Sequence, residues 1–305
     1  MIQRTNNEDI VSACMSRWAA EDSRTAYFEE HFDEWISQIP DSVYQLVLRL
    51  LNRFEYFSQK SLNDSLYKLG KELDSQPELH QAGTIYTHLP SKKGIENSSI
   101  DCLYEYKSMH GIDKFKIVID FKNYMKKRGG QIDNIVIIDD FCGSGGSMEN
   151  FIKNHCELLS GKTIYYLVTY TMDEAVQKLD AIAAEHSITL HVLYINHGTR
   201  VFEMEGSEEA RKSVRAFSRS VGIARDRCLG AYDTEALVAF YDDTPNNTIG
   251  LFHCDTESYF SLFPRKKEED KTTKRPSPST MKKEKEQRNI QNYNASVLAE
   301  EIMHG

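Results

Sequence analysis

From about residue 82, short β-rich runs alternate with segments of helical periodicity. The β-rich runs are TIYTHL, KFKIVID, NIVIIDD, TIYYLVTYT and TLHVLYIN. Two helical segments, SMENFIKNHCELL and MDEAVQKLDAIAAEHS, separate the last three runs, and the second segment places Ala175, Val176, Leu179, Ile182 and Ala183 on one face. Strands that alternate with helices predict a parallel sheet covered by helices on both faces. We therefore predict an α/β fold for this part of the chain.

Residues 1–81 are expected to be helical. After Pro40, either Asp41 or Ser42 can cap a helix, because a short polar side chain satisfies free backbone N–H groups there. Apolar residues follow at spacings of three and four, namely Val43, Leu46, Val47, Leu50, Leu51, Phe54 and Phe57. This spacing is typical of one helix face that packs in a core or an interface.

The carboxy-terminal part has a different composition. A further helix is expected at about 207–225, and ALVAFYDDTPNNTIGLFH is expected to form a strand pair around a turn. Residues 265–288 contain ten Lys or Arg and five Asp or Glu, which cannot build a core. We predict a flexible basic tail there, followed by a short helix in NIQNYNASVLAEEIMHG. The predicted regions are 1–81, 82–264 and 265–305.

The overall composition excludes several classes of protein. A chain of 305 residues with 40% hydrophobic content can bury a substantial core, and its net charge of -9 argues against a surface that is basic throughout. Six cysteines occur without a CxxC pair, so neither a disulfide framework nor a zinc site is expected. No run is apolar for the eighteen or so residues of a spanning helix. We therefore expect a cytoplasmic protein without membrane contact.

The run NIVIIDDFCGSGGSMENFI combines an apolar strand, two acids and a loop of glycine and serine. Asp139 and Asp140 would repel each other and lose hydration, so a ligand is needed to compensate them. The loop precedes a helix and offers backbone N–H groups and hydroxyls to a phosphate. Sugar hydroxyls or a phosphate-bound Mg²⁺ would suit the acids. The loop residues are Gly143, Ser144, Gly145, Gly146 and Ser147.

Two other phosphate loops fit this run poorly. A Walker A loop needs a Lys after its last glycine, and no Lys follows Gly146. A dinucleotide-binding fingerprint needs a third glycine that GSGGSM lacks. A flexible connection with two solvated acids is the remaining alternative.

The stretch IVIIDDFCGSGGS resembles the phosphoribosyl pyrophosphate (PRPP) motif of type I phosphoribosyltransferases. That motif has four apolar residues, two acids, two variable residues, a small residue, Thr or Ser, two glycines and a final Thr or Ser, and every position is filled here. The resemblance implies a five-stranded parallel core with a hood, here built by the amino-terminal helices. It also implies that Asp139 and Asp140 hold the ribose 2- and 3-hydroxyls, that Gly143 to Ser147 bind the 5-phosphate, and that Mg²⁺ is bound mainly through the ligand.

The same resemblance implies two further binding elements. A pyrophosphate loop follows the first core strand of the family, and here THLPSKKGIENSS offers Lys93 and Gly94, with Lys92 as an alternative. A mobile catalytic loop precedes the third core strand of the family, and NYMKKRGG occupies that interval with Lys126, Lys127 and Arg128. A solvated surface turn explains either basic run equally well.

The segment LGAYDTEALVAFYDDTPNNTIGLF resembles the closing part of phosphoribosyltransferase-like proteins from bacterial conflict and defence gene clusters, some of them beside retron reverse transcriptases. Pro245 fixes a turn in it, and Asn246 and Asn247 either bond to their own backbone or contact a base. His197 and Asp173 are candidates for acid or base, although a lone His at a strand end is more often structural. Cys142 is interpreted as a small filler.

Three functions follow from these expectations. The first is transfer of a phosphoribosyl group from PRPP with release of pyrophosphate, in which acids stabilise positive charge on the sugar and cations take up charge on the leaving group. The second is a PRPP-sensing or nucleotide-sensing module without turnover. The third is a defence effector whose basic tail docks a protein, a reverse transcriptase or RNA.

Overall fold

The computed structural model describes residues 6–80, 83–90, 98–204 and 208–265. Its α-helices are α1 (Asn7–Trp18), α2 (Ser23–Ser37), α3 (Asp41–Asn52), α4 (Gln59–Asp74), α5 (Ser98–His110), α6 (Phe121–Arg128), α7 (Gly146–Leu159), α8 (Asp173–Glu185), α9 (Val201–Met204) and α10 (Glu208–Ser220). Its strands are β1 (Glu55–Phe57), β2 (Thr84–His88), β3 (Asn134–Cys142), β4 (Thr163–Met172), β5 (Thr189–Gly198) and β6 (Val238–Phe240).

The central sheet has the strand order β2-β3-β4-β5, and every pairing in it is parallel. Side chains at the middle of β3, from Ile135 to Ile138, are fully buried, which is typical of a parallel strand covered on both faces. The predicted α/β fold with a parallel sheet is confirmed. One predicted strand, KFKIVID, forms only a single parallel bridge between Ile117 and Tyr86, because Lys114–Lys116 turn as a 3-10 helix before it.

The bridge between Ile117 and Tyr86 shows where the strand order of the sheet reverses. Ile117 pairs with Tyr86 on the side of β2 that faces away from β3, so the chain steps outward from β2 and then returns to form β3. Right-handed crossovers in opposite directions place their helices on opposite faces. Accordingly α5 contacts α4, whereas α6, α7 and α8 contact one another in sequence. The strand order therefore reverses between β2 and β3, and ligands of open α/β sheets bind at the carboxyl ends of the strands at such a reversal.

The second sheet has two strands and separates two hydrophobic cores. Strands β1 and β6 pair in parallel, with Tyr56 opposite Ala239. Phe57 and Phe240 face the core of the large sheet, while Tyr56 and Ala239 face a core made by α1–α3 and residues 201–263. This alternation follows from the two-residue period of a strand. The strand pair predicted within ALVAFYDDTPNNTIGLFH is therefore wrong: β6 pairs with β1, and Thr248 makes only a bridge to Ala236.

The amino-terminal helices differ from expectation mainly at their ends. Helix α3 begins at Asp41 and ends at Asn52, and Pro40 is its N-cap residue. Phe54 and Phe57 therefore lie beyond the helix, although both are buried as their spacing predicted. Phe54 stacks on Phe263 with 4.8 Å between ring centroids, so residues far apart in sequence share this core.

The described residues, which end at Arg265, form one compact unit. The predicted regions 1–81, 82–264 and 265–305 stay predictions, and the basic tail and its short helix lie outside the described residues. Among the helices described above, none has the length and apolar character needed to span a membrane.

Candidate phosphate-binding and acidic site

The two acids lie within β3 rather than beyond its end. The strand continues to Cys142, and Asp139 is paired in register with Val168 of β4. The side chain of Asp139 is buried, with 7% of its surface exposed, and Asp140 is half-buried. The acids therefore lie at the carboxyl edge of the sheet, on the strand that borders the reversal in strand order.

Hydroxyl groups from neighbouring elements hold both carboxyls. The phenol of Tyr166, on β4, donates a hydrogen bond of 2.8 Å to Oδ2 of Asp139. Ser98, the first residue of α5, donates one of 2.7 Å to Oδ1 of Asp140. Thr169 donates to the backbone carbonyl of Asp140 at 2.5 Å. Among the described residues, no Lys or Arg forms an ion pair with either carboxyl.

Burial without a cation raises the pKa of both acids. Desolvation raises the pKa of Asp139 from 3.8 to about 6, although the hydrogen bond from Tyr166 opposes this. The pKa of Asp140 lies well above its ordinary value, first because of burial and then because of the charges of Asp139 and Asp242. The pair therefore carries a cost at neutral pH that a cationic or hydroxyl-bearing ligand would reduce.

The loop after β3 is short and ends in the first turn of α7. Gly145 is the N-cap residue with a φ of 69°, a left-handed conformation that favours glycine. Gly146 and Ser147 are therefore the first two helical residues rather than loop residues. The N–H groups of a first helical turn have no partner within the helix, and the helix dipole is positive at that end. A helix of 14 residues thus begins directly after the acids, with free backbone N–H groups that suit an anion.

The loop is packed from behind by two segments. A Cβ atom at Gly143 would lie 2.5 Å from Cγ of Asn247, and one at Gly145 would lie 3.4 Å from the carbonyl oxygen of Ala175. Lys178, on α8, donates a hydrogen bond of 3.3 Å to the carbonyl of Ser144. Gly143 therefore has no room for a side chain, whereas Gly145 is required by its left-handed φ rather than by a lack of space.

The TPNNT segment reaches this loop through Asn247. The side-chain amide of Asn247 donates hydrogen bonds to the carbonyl of Ala231 at 3.1 Å and to Oγ1 of Thr234 at 2.7 Å. These bonds agree with the interpretation that the asparagine bonds to its own chain. Asn246 has a different position and lines a separate cleft, described below.

His197 and Asp173 are brought together at the same edge of the sheet. His197 Nδ1 lies 2.7 Å from Oδ1 of Asp173, and both side chains are accessible. His197 is in register with Thr171, which is in register with Cys142. Two strand spacings place His197 about 10 Å from the end of β3. A histidine oriented by a carboxylate is a common arrangement for proton transfer.

The other predicted site residues have varied positions. Lys92, Lys93 and Gly94 lie outside the described residues. Residues 126–128 form the exposed last turn of α6, and the chain then enters β3 from its amino end. They end a helix near the amino end of β3, and their role as mobile-loop residues stays a prediction. Burial raises the pKa of Cys142 to about 12, which is consistent with a filler residue.

Four residues of the site were not expected from the sequence: Ser98, Tyr166, Lys178 and Asp242. Asp242 had a readable signal, because VAFYDD repeats the pattern of an apolar strand followed by two acids. The other three carried none, since their contacts depend on how separate elements pack. In the described part of the chain, no group of three or more His, Cys, Asp or Glu side chains is placed to hold a metal ion.

Comparison with known proteins decides the family. A family model described as PRTase-CE matches residues 32–265. The chain belongs to the PRTase-CE family. The range of this PRTase-CE protein that matches the family model contains the acid pair, the glycine loop, the His197–Asp173 pair and the TPNNT segment. The predicted resemblance of the sequence to phosphoribosyltransferases is therefore confirmed.

Solved structures similar to this PRTase-CE protein include two phosphoribosyltransferases. The xanthine-guanine-hypoxanthine phosphoribosyltransferase of Helicobacter pylori is 11% identical, with 53% of this chain and 96% of that chain covered and a TM-score of 0.30. The orotate phosphoribosyltransferase of Aeropyrum pernix is 14% identical, with coverage of 48% and 75% and a TM-score of 0.27. At these TM-scores we base no argument on either superposition. No curated protein matches the sequence.

Proposed function

We propose that this PRTase-CE protein binds PRPP and Mg²⁺ at the carboxyl edge of its sheet and transfers the phosphoribosyl group with release of pyrophosphate. The observation that carries the proposal is the direct connection of the acid pair to the phosphate-binding end of α7. Asp139 and Asp140 would bind the ribose hydroxyls, and the residues from Gly143 to Ser147 would bind the 5-phosphate. Ribose and phosphate would thus be held by consecutive parts of one strand, loop and helix.

The pKa values of the acids support this chemistry. Cleavage of the bond from ribose C1 to pyrophosphate develops positive charge on the sugar, and buried carboxylates stabilise such a charge strongly. Burial raises the pKa of both acids, so positive charge that develops beside them would favour their ionised forms. His197, oriented by Asp173, would accept a proton from the attacking acceptor.

The donor set fits a Mg²⁺ ion that is held mainly through the ligand. The carboxyl oxygens of Asp139 and Asp140 are ligands that Mg²⁺ accepts, and Mg²⁺ usually keeps few protein ligands when phosphates are present. When bound, the ion would supply charge neutralisation for the departing pyrophosphate. Lys93 and Gly94 remain the proposed pyrophosphate-binding residues.

A sensing module without turnover is the second candidate. It is favoured by the position of Lys126, Lys127 and Arg128, which form the last turn of α6 before the chain enters β3 at its amino end, rather than a loop beside the acids. Release of pyrophosphate separates the two candidates. A transferase forms pyrophosphate when PRPP is supplied with its acceptor, for example in a lysate fraction, whereas a sensor binds PRPP and forms none.

We further propose that the protein acts in bacterial anti-phage defence, as an effector in retron-type gene clusters. The support is the resemblance of LGAYDTEALVAFYDDTPNNTIGLF to proteins of such clusters. A cytoplasmic location and a protein, reverse-transcriptase or RNA partner for the basic tail belong to this proposal. Phage plating on cells with the native gene cluster tests it: protection should be lost with Asp139→Asn combined with Asp140→Asn, and unchanged protection would contradict the link between site and defence.

The binding step is tested with a charge placed in the phosphate site. Ser147→Asp adds a carboxylate to the first turn of α7, where it suits the helix dipole and repels a phosphate. Asn154→Asp is the matched control, because it adds the same charge to an exposed position about 10 Å further along the helix. Calorimetric titration with PRPP and Mg²⁺ should show binding to the parent and to Asn154→Asp but not to Ser147→Asp. Equal binding to all three proteins would contradict the phosphate site.

A further inference from the structure

A separate cleft lies beside the segment that follows α10. It has a volume of about 610 Å³, and its lining includes Arg215, Arg225, Arg227, Tyr232 and Asn246. None of these residues belongs to the strand-end site. The volume falls in the range of small-molecule sites, which is about 300–1,000 Å³.

The cleft carries a surplus of positive charge in a protein that is acidic overall. Three arginines and two aspartates, Asp226 and Asp233, line it, although the chain carries a net charge of -9. Arg225 is exposed and forms no ion pair within the described ranges. Arg227 makes only a long contact, 3.6 Å from Nε to Oδ2 of the adjacent Asp226. Positive charge in the cleft is thus available to an anion.

Arg215 is held by an ion pair, but not all of its N–H groups have a hydrogen-bond partner in the described structure. Its Nη2 lies 3.0 Å from Oδ1 of Asp233, while its buried Nε has no hydrogen-bond partner in the described structure. The side chain is 36% exposed and its guanidinium carries five N–H donors, so the contact with Asp233 leaves donors that a ligand can reach. Arg215 and Arg225 therefore offer the charged N–H donors that bind a phosphate well.

The backbone opposite the arginines is strained. Tyr232, Asp233 and Glu235 have φ values of 61°, 50° and 55°, and all three are non-glycine residues in the left-handed region. Such conformations are uncommon and persist only where the surroundings impose them. Tyr232 is nevertheless 75% exposed, so its ring has no packing role that would explain the strain.

Buried polar groups on both sides of Tyr232 impose this conformation. Glu235, which is 1% exposed, accepts hydrogen bonds from Nε of Arg211 at 2.6 Å and from the backbone N–H of Phe202 at 3.1 Å. Asn247 binds the carbonyl of Ala231 from the other side. These contacts therefore fix a strained turn that exposes the ring of Tyr232 in the cleft lined by the three arginines.

We propose that this cleft binds a nucleotide, either free or as part of a single strand. The arginines would bind the phosphate, and the ring of Tyr232 would stack on the base, which is how aromatic side chains bind unpaired bases. The side-chain amide of Asn246 lies in the same cleft and can hydrogen-bond the edge of a base. The proposal is independent of PRPP binding, because no residue is shared with the acid pair or the glycine loop.

The test uses AMP and a fluorescein-labelled oligo(dT) as probes on the full chain. All proteins carry Ser147→Asp, so that the first turn of α7 does not contribute phosphate binding. Tyr232→Ala should weaken binding by about 5- to 150-fold, the range for loss of base stacking. Arg225→Ala should weaken it by about 10- to 100-fold, the range for loss of a charged hydrogen bond. Phe115→Ala is the matched control, because Phe115 is 77% exposed elsewhere, and it should bind like the parent.

A structural role for Tyr232 is distinguished by a second variant. Tyr232→Gly relieves the left-handed strain, so it should melt no lower than the parent while it loses binding as Tyr232→Ala does. Tighter binding of AMP than of oligo(dT) would identify a free nucleotide, and salt-sensitive preference for oligo(dT) would identify a single strand. The proposal is overturned if neither probe binds, or if Tyr232→Ala and Arg225→Ala bind as the parent does. Failure of the protein to bind PRPP would not contradict this proposal if AMP or oligo(dT) binds and Tyr232→Ala weakens that binding.

Discussion

Replacement of Asp139 by Asn should stabilise the protein at neutral pH. Asp139 is 7% exposed, and burial raises its pKa from 3.8 to about 6. An acid with a raised pKa keeps its proton in the folded state at a pH where the unfolded chain has lost it. Stability therefore falls as the pH rises from about 4 to 6, and the full cost is present above pH 6.

The magnitude follows from the shift in pKa. A change from 3.8 to about 6 corresponds to about 3 kcal/mol at 1.36 kcal/mol per unit. An Asn oxygen can still accept the hydrogen bond from Tyr166, so little of this gain is offset. We expect a gain of about 2–3 kcal/mol at pH 7.5, or about 4–10 °C in melting temperature for a unit of this size.

Denaturant unfolding at pH 7.5 and pH 4.0 measures this gain. Asp139→Asn should be more stable than the parent by about 2–3 kcal/mol at pH 7.5 but by only about 0.5 kcal/mol at pH 4.0, where the folded parent is protonated and the unfolded chain is near its pKa of 3.8. Asp64→Asn, at an exposed position of α4, is the control and should change stability by less than about 0.5 kcal/mol. A destabilised Asp139→Asn at pH 7.5, or a gain that is equal at both pH values, would refute the reasoning.

Three further predictions concern packing, acid stability and proton transfer. Gly143→Ala should lose about 1–3 kcal/mol of stability, because its Cβ would overlap the side chain of Asn247. In the control Gly130→Ala, the Cβ meets no atom within 4 Å, so urea unfolding should show no change in stability. Burial lowers the pKa of His253 from 6.5 to about 4, so the stability it contributes is present above pH 6.5 and lost as the pH falls. Between pH 6.5 and 4, the free energy of unfolding of His253→Gln should therefore fall by about 3 kcal/mol less than that of the parent. Parallel plots of unfolding free energy against pH for the two proteins would contradict this. His197→Gln should lower kcat for phosphoribosyl transfer by about 100-fold or more with PRPP affinity retained, and an unchanged kcat in a pyrophosphate-release assay would exclude it as the base.

Local pattern was sufficient for the central sheet and for the strand-loop-helix turn after β3. Strands β3 and β4 were predicted because each is a run of apolar and β-branched residues, and burial of such runs on both faces gives a pattern that a sequence shows directly. Strand β5 lies at the edge of the sheet and is only partly buried, and it was predicted from its β-branched and aromatic content. The loop motif was legible for a similar reason. A tight strand-to-helix turn with a left-handed residue at Gly145 needs glycine whatever surrounds it.

What the sequence did not predict depends on contacts between distant segments. The pairing of β1 with β6 joins strands about 180 residues apart, and nothing in three-residue strands specifies a partner. The same holds for Ser98 and Tyr166, whose hydroxyls hold the acids only because α5 and β4 flank β3. Residues 126–128 were expected in a loop on the basis of a family interval, whereas in the structure Asp120 caps a helix that these residues end; their role as mobile-loop residues stays a prediction.

The central claim is that the acid pair and the α7 end form one PRPP site. Calorimetric titration with PRPP tests it most directly, with and without Mg²⁺, on the parent and on the variant with both Asp139→Asn and Asp140→Asn. We predict Mg²⁺-dependent binding to the parent and none to the variant, which should remain folded because the replaced acids are destabilising. Binding of equal affinity to a folded variant, or no binding to the parent, would contradict the account.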